Sequence, residues 1–497
     1  MKFPHPKVER FSSRWGLLAA SLGCAIGVGN IWRFPRIAAE NGGGAFLIPW
    51  ILFLFLWSIP LMIAEYSIGR KTREGVIGSF ARFGKKNRAW MGGFVALVAT
   101  AVLFYYSVIA GWCFYYFFTT LGGGLSEMAH GGATDFFMAF TGSGLEFIFM
   151  AIPLLIVGAV VYIGGVRGIE KMNSFMVPTL FLLLVFAAII ACRLPGAMEG
   201  VKYLFIPKWE YLTNYKTWIA ALTQSAWSTG AGFGLYLTYA VYVSDDEDIV
   251  TNTILTGVGN NIASIFAALA IIPTVFAVLP IGEASEVLSK SSVGLTFLTL
   301  PELFLKMPLG SFFAPLFFLT LIFAALSSLI SLVELPVRVV MDFGVTRKRA
   351  VVIVIASAML FGSASAMSLD FLDNQDFVWG QGLIISGIFL AILIISYGTT
   401  KFREEVIHQE EEMKTHVRVG GWFDTVVTYV IPAEFTAIML WWAYEAVTNE
   451  PSWWNPFVVK SLGTCLFQWG VAMWILYMLN DLLKKRARTH EENGLSL

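Results

Sequence analysis

Twelve long and almost uncharged runs of residues constrain this chain more than any other feature of its sequence. A helix needs about 20 mostly apolar residues to cross about 30 Å of hydrocarbon. Runs suited to that task lie at 15–37, 43–64, 90–122, 147–166, 172–192, 217–243, 250–280, 309–340, 350–369, 377–399, 422–446 and 457–482. They are too long and too continuously apolar to be the alternating strands of a membrane β-barrel. We therefore predict an all-α membrane protein with twelve transmembrane helices, numbered spans 1 to 12 in chain order.

Composition and charge exclude several other classes of protein. Charged residues make up only 14% of the chain and hydrophobic residues 57%, which leaves too little polar surface for soluble domains. The formal net charge is zero, so there is no basic field to attract nucleic acid. All five histidines lie outside the apolar runs, where they cannot serve acid–base catalysis within the membrane. We expect neither an enzyme nor a nucleic-acid-binding protein, and nothing indicates an obligatory protein partner.

The positions of the lysines and arginines predict the orientation in the membrane. If the amino terminus lies inside, most of the 34 lysines and arginines fall in loops on that same side. Loops that are rich in these residues stay in the cytoplasm. We therefore expect a multi-pass protein of the plasma (inner) membrane whose two termini are both cytoplasmic.

Glycines interrupt spans 1 and 6 near the middle of the membrane. Three lie in each span, namely Gly23, Gly27 and Gly29 in span 1 and Gly230, Gly232 and Gly234 in span 6. Each glycine lowers helix stability by about 1 kcal/mol relative to alanine, so three together favour local unwinding. Unwound backbone at that depth is tolerated only where it is buried in protein or lines a polar cavity. For either cluster alone, close helix packing through small residues is the alternative explanation.

The two interruptions occupy equivalent positions in two halves of five spans each. Because five is an odd number, the second half crosses the membrane in the opposite direction to the first. Paired discontinuous helices in inverted repeats are typical of secondary transporters with a site at the bilayer midplane. We predict a transporter core at 1–400, with repeats at about 10–195 and 215–400. Residues 401–497 would form a cytoplasmic link, spans 11 and 12 and a tail.

Two segments between the spans have recognisable characters. Residues 293–305 are apolar but too few to cross the membrane, which predicts a re-entrant or lid helix. Residues 401–418 carry many charges, which predicts a solvated link before the last two spans.

Broken helices offer ligands for both an anion and a cation. The amino end of a half-helix presents N–H groups and a positive dipole, which suit a carboxylate. Carbonyl, hydroxyl and amide oxygens suit a hard cation such as sodium. Uncharged oxygen donors are available on Asn30, Ser228, Asn260, Ser327 and Ser328. Any one of them alone would more often make a hydrogen bond between helices, so only their convergence would indicate a cation site.

The residues around the first break resemble the signature of a known family. Residues 27–35 read GVGNIWRFP and residues 41–46 read NGGGAF, which is similar to bacterial members of the neurotransmitter:sodium symporter family. The resemblance extends along spans 1 to 10. It implies a sodium-coupled transporter that imports an amino acid by alternating access. Symport of another small zwitterion, such as an amine-bearing acid, is the alternative, and an ion channel is a more distant one.

The resemblance also implies two sodium sites. The first would combine the substrate carboxylate with oxygens of Ala25, Asn30, Ser228 and Asn260. The second would use oxygens of Gly23, Ile26, Ala324, Ser327 and Ser328. How many sodium ions are coupled to each substrate is left open.

The implied substrate site lies between spans 1, 3, 6 and 8. Its residues would be Cys24, Ala25, Gly27, Val28, Gly29, Val102, Tyr106, Trp227, Ser228, Gly230, Phe233, Ser328 and Leu332. The hydroxyl of Tyr106 would donate to the substrate carboxylate. Trp227 stands where phenylalanine is usual and would narrow one wall, whereas Gly230 replaces a common serine and would widen another. Cys24 is not acidic, which disfavours a monoamine without a carboxylate and leaves an apolar amino acid as the expected substrate.

Chloride and gate residues are implied in the same way. Ser264 stands where chloride-independent members carry an acid, so a chloride could lie beside Trp50, Gln224, Ser228, Asn260 and Ser264. Trp50 replaces the usual tyrosine. Arg33 and Asp376 resemble the outer gate, while Tyr242 and Asp342 resemble the inner gate, with Arg10 or Lys7 as open choices for the partner of Asp342. Glu65 resembles a structural carboxylate that binds the unwound part of span 6.

Overall fold

The computed structural model describes residues 9–84, 87–126, 128, 132–288, 293–307, 309–408 and 417–484. Helices account for nearly all of the regular structure in these ranges. The exception is an isolated antiparallel bridge between Gly43 and Pro207. The fold is therefore the predicted all-α membrane fold.

The spans agree closely with the predicted runs. Within the described ranges, eight helices are long and apolar enough to cross a membrane, and the two halves of span 1 together make a ninth. The eight are Gly44–Thr72 (span 2), Ala89–Leu121 (span 3), Leu145–Arg193 (spans 4 and 5), Ile249–Val278 (span 7), Gly310–Asp342 (span 8), Arg347–Met367 (span 9), Leu369–Tyr397 (span 10) and Trp422–Asn449 (span 11). Span 1 consists of Arg14–Ala25 and Val28–Glu40, span 6 of Tyr215–Thr229 and Leu235–Ala240, and span 12 is Leu462–Met478.

Spans 4 and 5 are not separated by the loop that the sequence predicts. Helical residues continue from Leu145 to Arg193, and the chain turns at Gly165, where φ is 53° and ψ is −138°. Glycine adopts such a conformation without the steric cost of a side chain. One residue therefore separates the two helices, and the predicted loop at 167–171 is wrong because those residues are helical.

Span 10 begins about two turns earlier than predicted. The side chain of Ser368 accepts a hydrogen bond from the Phe371 N–H and so caps the helix, which is a common way to satisfy the first amides. Asp376 therefore lies inside span 10 and not at its first turn.

The predicted lid helix is present. A π-helical turn at Gly294–Thr299 runs into the α-helix Leu300–Lys306. The fully buried Phe297 packs against Trp32, Trp112 and Phe318, with ring centroids 5.6 to 6.2 Å apart. The short helix is thus anchored by aromatic contacts to spans 1, 3 and 8.

The first part of the predicted solvated link is packed against the protein. Residues Arg403–Ile407 form a π-helical turn, and Val406 and Ile407 are buried. The Ile407 carbonyl accepts a hydrogen bond from Arg70 of span 2. The prediction of a fully solvated link is therefore wrong for this part, and residues 409–416 lie outside the described residues.

Burial separates central spans from peripheral ones. The most apolar windows of spans 3, 8 and 10 are 78%, 78% and 83% buried by the rest of the protein, whereas that of span 11 is only 28% buried. Spans 3, 8 and 10 therefore form the packed centre against which the two broken spans lie.

Candidate functional site

Span 1 breaks where its backbone meets spans 3 and 8. Its two halves are bent by 51°, with extended backbone at Ile26 and Gly27. A Cβ atom on Gly27 would lie 2.8 Å from Ser328 Oγ and 3.2 Å from the Tyr106 hydroxyl. Asn30 Oδ1 accepts a hydrogen bond of 3.0 Å from the Gly27 N–H. Glycine is therefore needed at 27 because the two neighbouring spans approach the backbone closely.

Span 6 breaks at its three glycines. Gly230, Gly232 and Gly234 have φ values of 67°, 86° and 79°, which glycine adopts readily. The buried carboxylate of Glu65 accepts hydrogen bonds from the N–H groups of Gly232 (2.5 Å) and Leu237 (3.1 Å). These amides have lost their helical partners, so the carboxylate satisfies them. The prediction that Glu65 binds the unwound part of span 6 is confirmed.

Both breaks face one cavity of about 660 Å³. Its volume lies within the range of small-molecule sites, about 300 to 1,000 Å³. Twelve of the predicted substrate residues line it: Cys24, Ala25, Gly27, Gly29, Val102, Tyr106, Trp227, Ser228, Gly230, Phe233, Ser328 and Leu332. Val28 does not line the cavity, because its side chain is buried in the protein. Its N–H instead donates to the Tyr106 hydroxyl at 3.2 Å.

The first predicted sodium cluster is assembled beside the cavity. Asn30 Nδ2 donates to Asn260 Oδ1 at 2.7 Å and to Ser228 Oγ at 3.0 Å. The same Asn260 oxygen lies 3.2 Å from the Ala25 carbonyl and 3.0 Å from the Ser228 carbonyl, with no proton between them. In the opposite amide orientation the Asn260 nitrogen would take this place and donate to both carbonyls, but it would lie 2.7 Å from Asn30 Nδ2. Crowded oxygens of this kind are suited to a hard cation.

The second predicted cluster joins span 1 to span 8. Ser327 Oγ lies 3.3 Å from the Ile26 carbonyl and 3.1 Å from the Ala324 carbonyl. Ser328 Oγ lies 3.3 Å from the Gly23 carbonyl and 3.4 Å from that of Ile26. These contacts connect all five ligand candidates, and all five offer uncharged oxygen.

Asn173 of span 5 completes the surroundings of this second cluster and was missed by the sequence analysis. Its Oδ1 is fully buried and has no hydrogen-bond donor among the described residues. A Cβ atom on Gly23 would lie 2.1 Å from that oxygen. A polar residue within the apolar run of span 5 was the available signal.

Three of the predicted chloride residues are also joined. Ser264 Oγ accepts a hydrogen bond from Asn30 (2.8 Å) and donates to the Asn260 carbonyl (3.1 Å), and Ser228 contacts the Asn260 side chain. The Trp50 indole N–H is buried without an acceptor among the described residues, as is Gln224 Oε1 without a donor. The contacts therefore join Ser228, Asn260 and Ser264, while Trp50 and Gln224 contribute buried polar atoms.

The outer gate residues line the cavity without forming an ion pair. No pair of 4.0 Å or less joins Arg33 to Asp376, both of which are described. The Arg33 guanidinium instead lies over the Trp227 ring, 5.2 Å from its centroid. The cavity continues past both residues to Asp373 and Lys460, which form an ion pair of 2.5 Å. The cavity is therefore open on this side.

A charged network closes the opposite side. Arg347 donates to both oxygens of Glu334 (3.0 and 2.8 Å), and the Tyr242 hydroxyl donates to Glu334 at 2.6 Å. Arg347 also donates to the Tyr242 hydroxyl and pairs with Glu9 at 2.9 Å. Glu334 is fully buried, so this network is held deep inside the protein.

The inner gate residues therefore bind partners that the sequence analysis did not name. Asp342 pairs with Arg338 at 2.8 Å and accepts the Gly75 N–H at 2.7 Å. Arg10 pairs with Asp245 at 3.4 Å, which replaces the suggested pairing with Asp342, and Lys7 lies outside the described residues. Glu334, a single acid in the apolar run of span 8, was a signal that the sequence analysis left unused.

Two broken helices that face one cavity are typical of secondary transporters built from inverted repeats. The profile of the Sodium:neurotransmitter symporter family matches residues 8–131 and 135–485. The chain therefore belongs to the Sodium:neurotransmitter symporter family, a family of transporters. The resemblance predicted from residues 27–35 and 41–46 is confirmed.

Individual relatives cover nearly the whole chain. It is 32% identical over 458 residues to an uncharacterized sodium-dependent transporter of Methanocaldococcus jannaschii, covering 89% of this chain and 92% of the relative. It is 27% identical over 528 residues to the sodium-dependent serotonin transporter of Drosophila melanogaster, covering 94% and 83%. The crystal structure of MhsT in complex with L-phenylalanine matches with a TM-score of 0.76 at 30% identity, covering 87% of this chain and 99% of that one. Sodium dependence is thus the property that the names of the first two share.

Proposed function

We propose that this protein imports an amino acid together with sodium by alternating access. The observation that carries the proposal is the single cavity that borders both broken helices and the two oxygen clusters. A zwitterion can meet peptide dipoles, a tyrosine hydroxyl and a cation there at the same time. The lipid bilayer is the expected setting, in the plasma membrane with both termini cytoplasmic.

The two ends of the cavity fit the two parts of an amino acid. The amino end of helix Val28–Glu40 and the Tyr106 hydroxyl suit the carboxylate, because helix amino ends favour negative charge. Val102, Phe233 and Leu332 give the cavity apolar walls. The binding of L-phenylalanine by MhsT supports an apolar substrate. No acid lies at position 24, which disfavours amines that lack a carboxylate.

We infer that two sodium ions accompany the substrate. The first cluster borders the cavity, so the substrate carboxylate can complete it, while the second holds the break of span 1 against span 8. Each sodium ion that enters adds about 2.3 kcal/mol per 100 mV of membrane potential to its concentration gradient. Binding of both ions would fix span 1 in the shape that receives the substrate.

Transport then requires the two gates to exchange states. We propose that Arg33 and Asp376 approach one another over the bound substrate, and that the Glu334, Arg347 and Tyr242 network opens on the cytoplasmic side. Spans 1, 2, 6 and 7 would rock against spans 3, 4, 8 and 9. The core at 1–400 would carry out this motion, and the remainder at 401–497 would flank it.

Chloride coupling is a further part of the proposal. Span 7 has serine at 264 and no acid anywhere in Ile249–Val278, so a bound anion would compensate the charge of the incoming sodium. Replacing chloride by gluconate should reduce sodium-driven uptake. Unchanged uptake in gluconate would remove chloride from the mechanism.

Reconstitution into liposomes tests the function as a whole. An inward sodium gradient should drive accumulation of at least one labelled amino acid from a panel of apolar and polar ones, and collapsing the gradient should abolish it. Accumulation of another zwitterion only would redirect the substrate assignment. Sodium currents without any substrate accumulation would favour the ion channel.

A further inference from the structure

We propose that Gly380 of span 10 determines substrate specificity by providing a notch that holds the Trp227 indole back from the cavity. The notch itself is a matter of packing, but its effect on specificity rests on the function proposed above. Trp227 and the surface of span 10 that follows Asp376 both line the cavity. The fit between a large residue on span 6 and a missing side chain on span 10 would therefore fix the width of the site.

The distances show how closely the indole fills the notch. A Cβ atom on Gly380 would lie 2.6 Å from Trp227 Cζ2 and 2.9 Å from Cη2. Both atoms belong to the six-membered ring of the indole and extend beyond the reach of a phenylalanine ring. Even a methyl group at 380 would thus displace the indole, since packed interiors leave no room for such an overlap.

Backbone conformation does not explain the glycine. Gly380 lies within the helix Leu369–Tyr397 and is absent from the glycines with positive φ. A glycine in a regular helix lowers its stability by about 1 kcal/mol relative to alanine. The space that Gly380 leaves for Trp227 supplies the compensating benefit.

The indole that fills the notch also contacts Arg33, a proposed gate residue, and Phe233 of the cavity wall. The Arg33 guanidinium lies 5.2 Å from the Trp227 ring centroid, and the Phe233 ring meets it edge-on at 6.3 Å. If the indole left the notch, it would move away from span 10 and towards these two residues. The same displacement would therefore narrow the cavity and disturb the resting position of Arg33.

The notch also changes the interpretation of the unusual tryptophan. From the sequence, tryptophan in place of phenylalanine at 227 narrows one wall. In the structure, the far edge of the indole is recessed into span 10, so the added ring takes less volume from the cavity than its size suggests. A phenylalanine at 227 would leave the notch empty and make the site larger.

A double-mutant cycle tests this fit. The variants are Gly380→Ala, Trp227→Phe and the two combined, each purified and also reconstituted for uptake of the amino acid panel. Gly380→Ala alone should lower the melting temperature and reduce uptake by about tenfold or more, because it overpacks the notch. Adding Trp227→Phe to Gly380→Ala should restore most of the melting temperature and most of the uptake. Trp227→Phe alone should shift the preference towards bulkier side chains in competition assays.

Gly382 on the same span provides the matched control. A Cβ atom there would lie 3.2 Å from Val98 Cγ2, and Trp227 is not among its nearest contacts. Gly382→Ala should therefore lower the melting temperature and the uptake by the same amount whether residue 227 is tryptophan or phenylalanine.

Melting temperatures test the notch separately from the proposed transport function, since their measurement requires no substrate. Rescue of stability by Trp227→Phe in the Gly380→Ala background but not in the Gly382→Ala background supports the notch, even if no tested substrate is transported. Purely additive effects on stability at 380 and 227 would overturn it. Rescued stability with an unchanged order of substrate preference in Trp227→Phe would overturn its role in specificity.

Discussion

At the scale of single residues, the Tyr106 hydroxyl is the side-chain group proposed to bind the substrate carboxylate. It accepts the Val28 N–H at the start of a half-helix, and the residue lines the cavity. Tyr116 of the same span also has a buried hydroxyl, but that group has no hydrogen-bond partner among the described residues. The two tyrosines therefore differ in position: the Tyr106 hydroxyl lies at the start of the half-helix, and the Tyr116 hydroxyl does not.

Removing the Tyr106 hydroxyl should weaken substrate binding. In Tyr106→Phe we expect the half-saturating substrate concentration for uptake at saturating sodium to rise about tenfold, because a hydrogen bond to a charged group contributes about 1.5 to 3 kcal/mol. Tyr116→Phe is the control and should behave like the parent protein. Equal effects of the two changes would contradict a substrate contact at Tyr106.

The hydroxyls of span 8 should control sodium dependence. Ser327→Ala removes an oxygen from the second cluster, and we expect the half-saturating sodium concentration to rise about fivefold, equivalent to about 1 kcal/mol. Thr320→Val is the control, because among the described residues the Thr320 hydroxyl bonds only to the Leu316 carbonyl of its own helix. A sodium dependence that is unaltered in Ser327→Ala would remove Ser327 from the sodium site.

Site residues within local motifs could be predicted from the sequence, whereas those defined by contacts between distant spans could not. Asn30, Ser228, Asn260, Ser327 and Ser328 could be named in advance because they lie in or near distinctive local motifs. Asn173 and the Glu334–Arg347 pair could not, because their roles depend on which spans touch and at what depth. Sequence spacing along one helix does not contain that information.

At the scale of elements, the two breaks are stabilised differently. The break of span 1 is held by contacts of its own backbone with spans 3 and 8, whereas that of span 6 depends on the buried carboxylate of Glu65. Glycine clusters predicted where both breaks occur, since weak helix propensity is a local property. Local patterns failed at the turn at Gly165 and at the early start of span 10, where a single conformation or a single cap moved the boundary.

Neutralising Glu65 should destabilise the span 6 break. A glutamine can accept only one of the two N–H bonds with its oxygen, so we expect Glu65→Gln to lower the free energy of unfolding by about 1 to 3 kcal/mol. Ser67→Ala on the same span is the control, because the Ser67 hydroxyl bonds only to the Ile63 carbonyl within its helix in the part of the chain that the structure describes. Thermal melting of the purified protein measures both, and equal melting temperatures would argue against the capping role.

At the scale of the whole molecule, the two sides of the cavity differ. The cavity is open past Arg33 and Asp376, while Glu334, Arg347 and Tyr242 are bonded together on the other side. The position of the conformational equilibrium must therefore depend on the strength of this inner network. Weakening the network should favour the opposite state.

Tyr242→Phe tests that dependence without leaving a buried charge unpaired. It removes a hydroxyl that joins Glu334 and Arg347, and a loss of about 1 to 2 kcal/mol would shift the equilibrium about five- to thirtyfold. Cys24 lines the cavity, so its labelling by a thiol reagent added outside should slow, in a background lacking the partly exposed Cys192. Tyr239→Phe is the control, because the buried Tyr239 hydroxyl has no partner among the described residues. Labelling as fast as in the parent would show that this network does not set the equilibrium.

The loop that follows span 2 should also make stability depend on pH through Glu74. This residue follows span 2 and is 7% exposed, and it pairs with Arg82 at 2.8 Å. Burial, together with the nearby Asp342 carboxylate, nevertheless raises the pKa of Glu74 from 4.5 to about 7, against the opposing influence of Arg82 and Arg338. The folded protein therefore favours the protonated acid.

The sign of the effect follows from that shift. The contribution of Glu74 to stability is fully present below pH 4.5, falls as the pH rises towards 7, and is lost above it, with a total on the order of 3 kcal/mol. Glu74→Gln cannot ionise, so its melting temperature relative to the parent should rise between pH 5 and pH 8. Glu199→Gln, at an exposed pair with Lys202, should show no comparable trend. If the difference between Glu74→Gln and the parent stays constant across this range, Glu74 is already ionised in the folded protein at pH 5, and the ion pair with Arg82 outweighs burial.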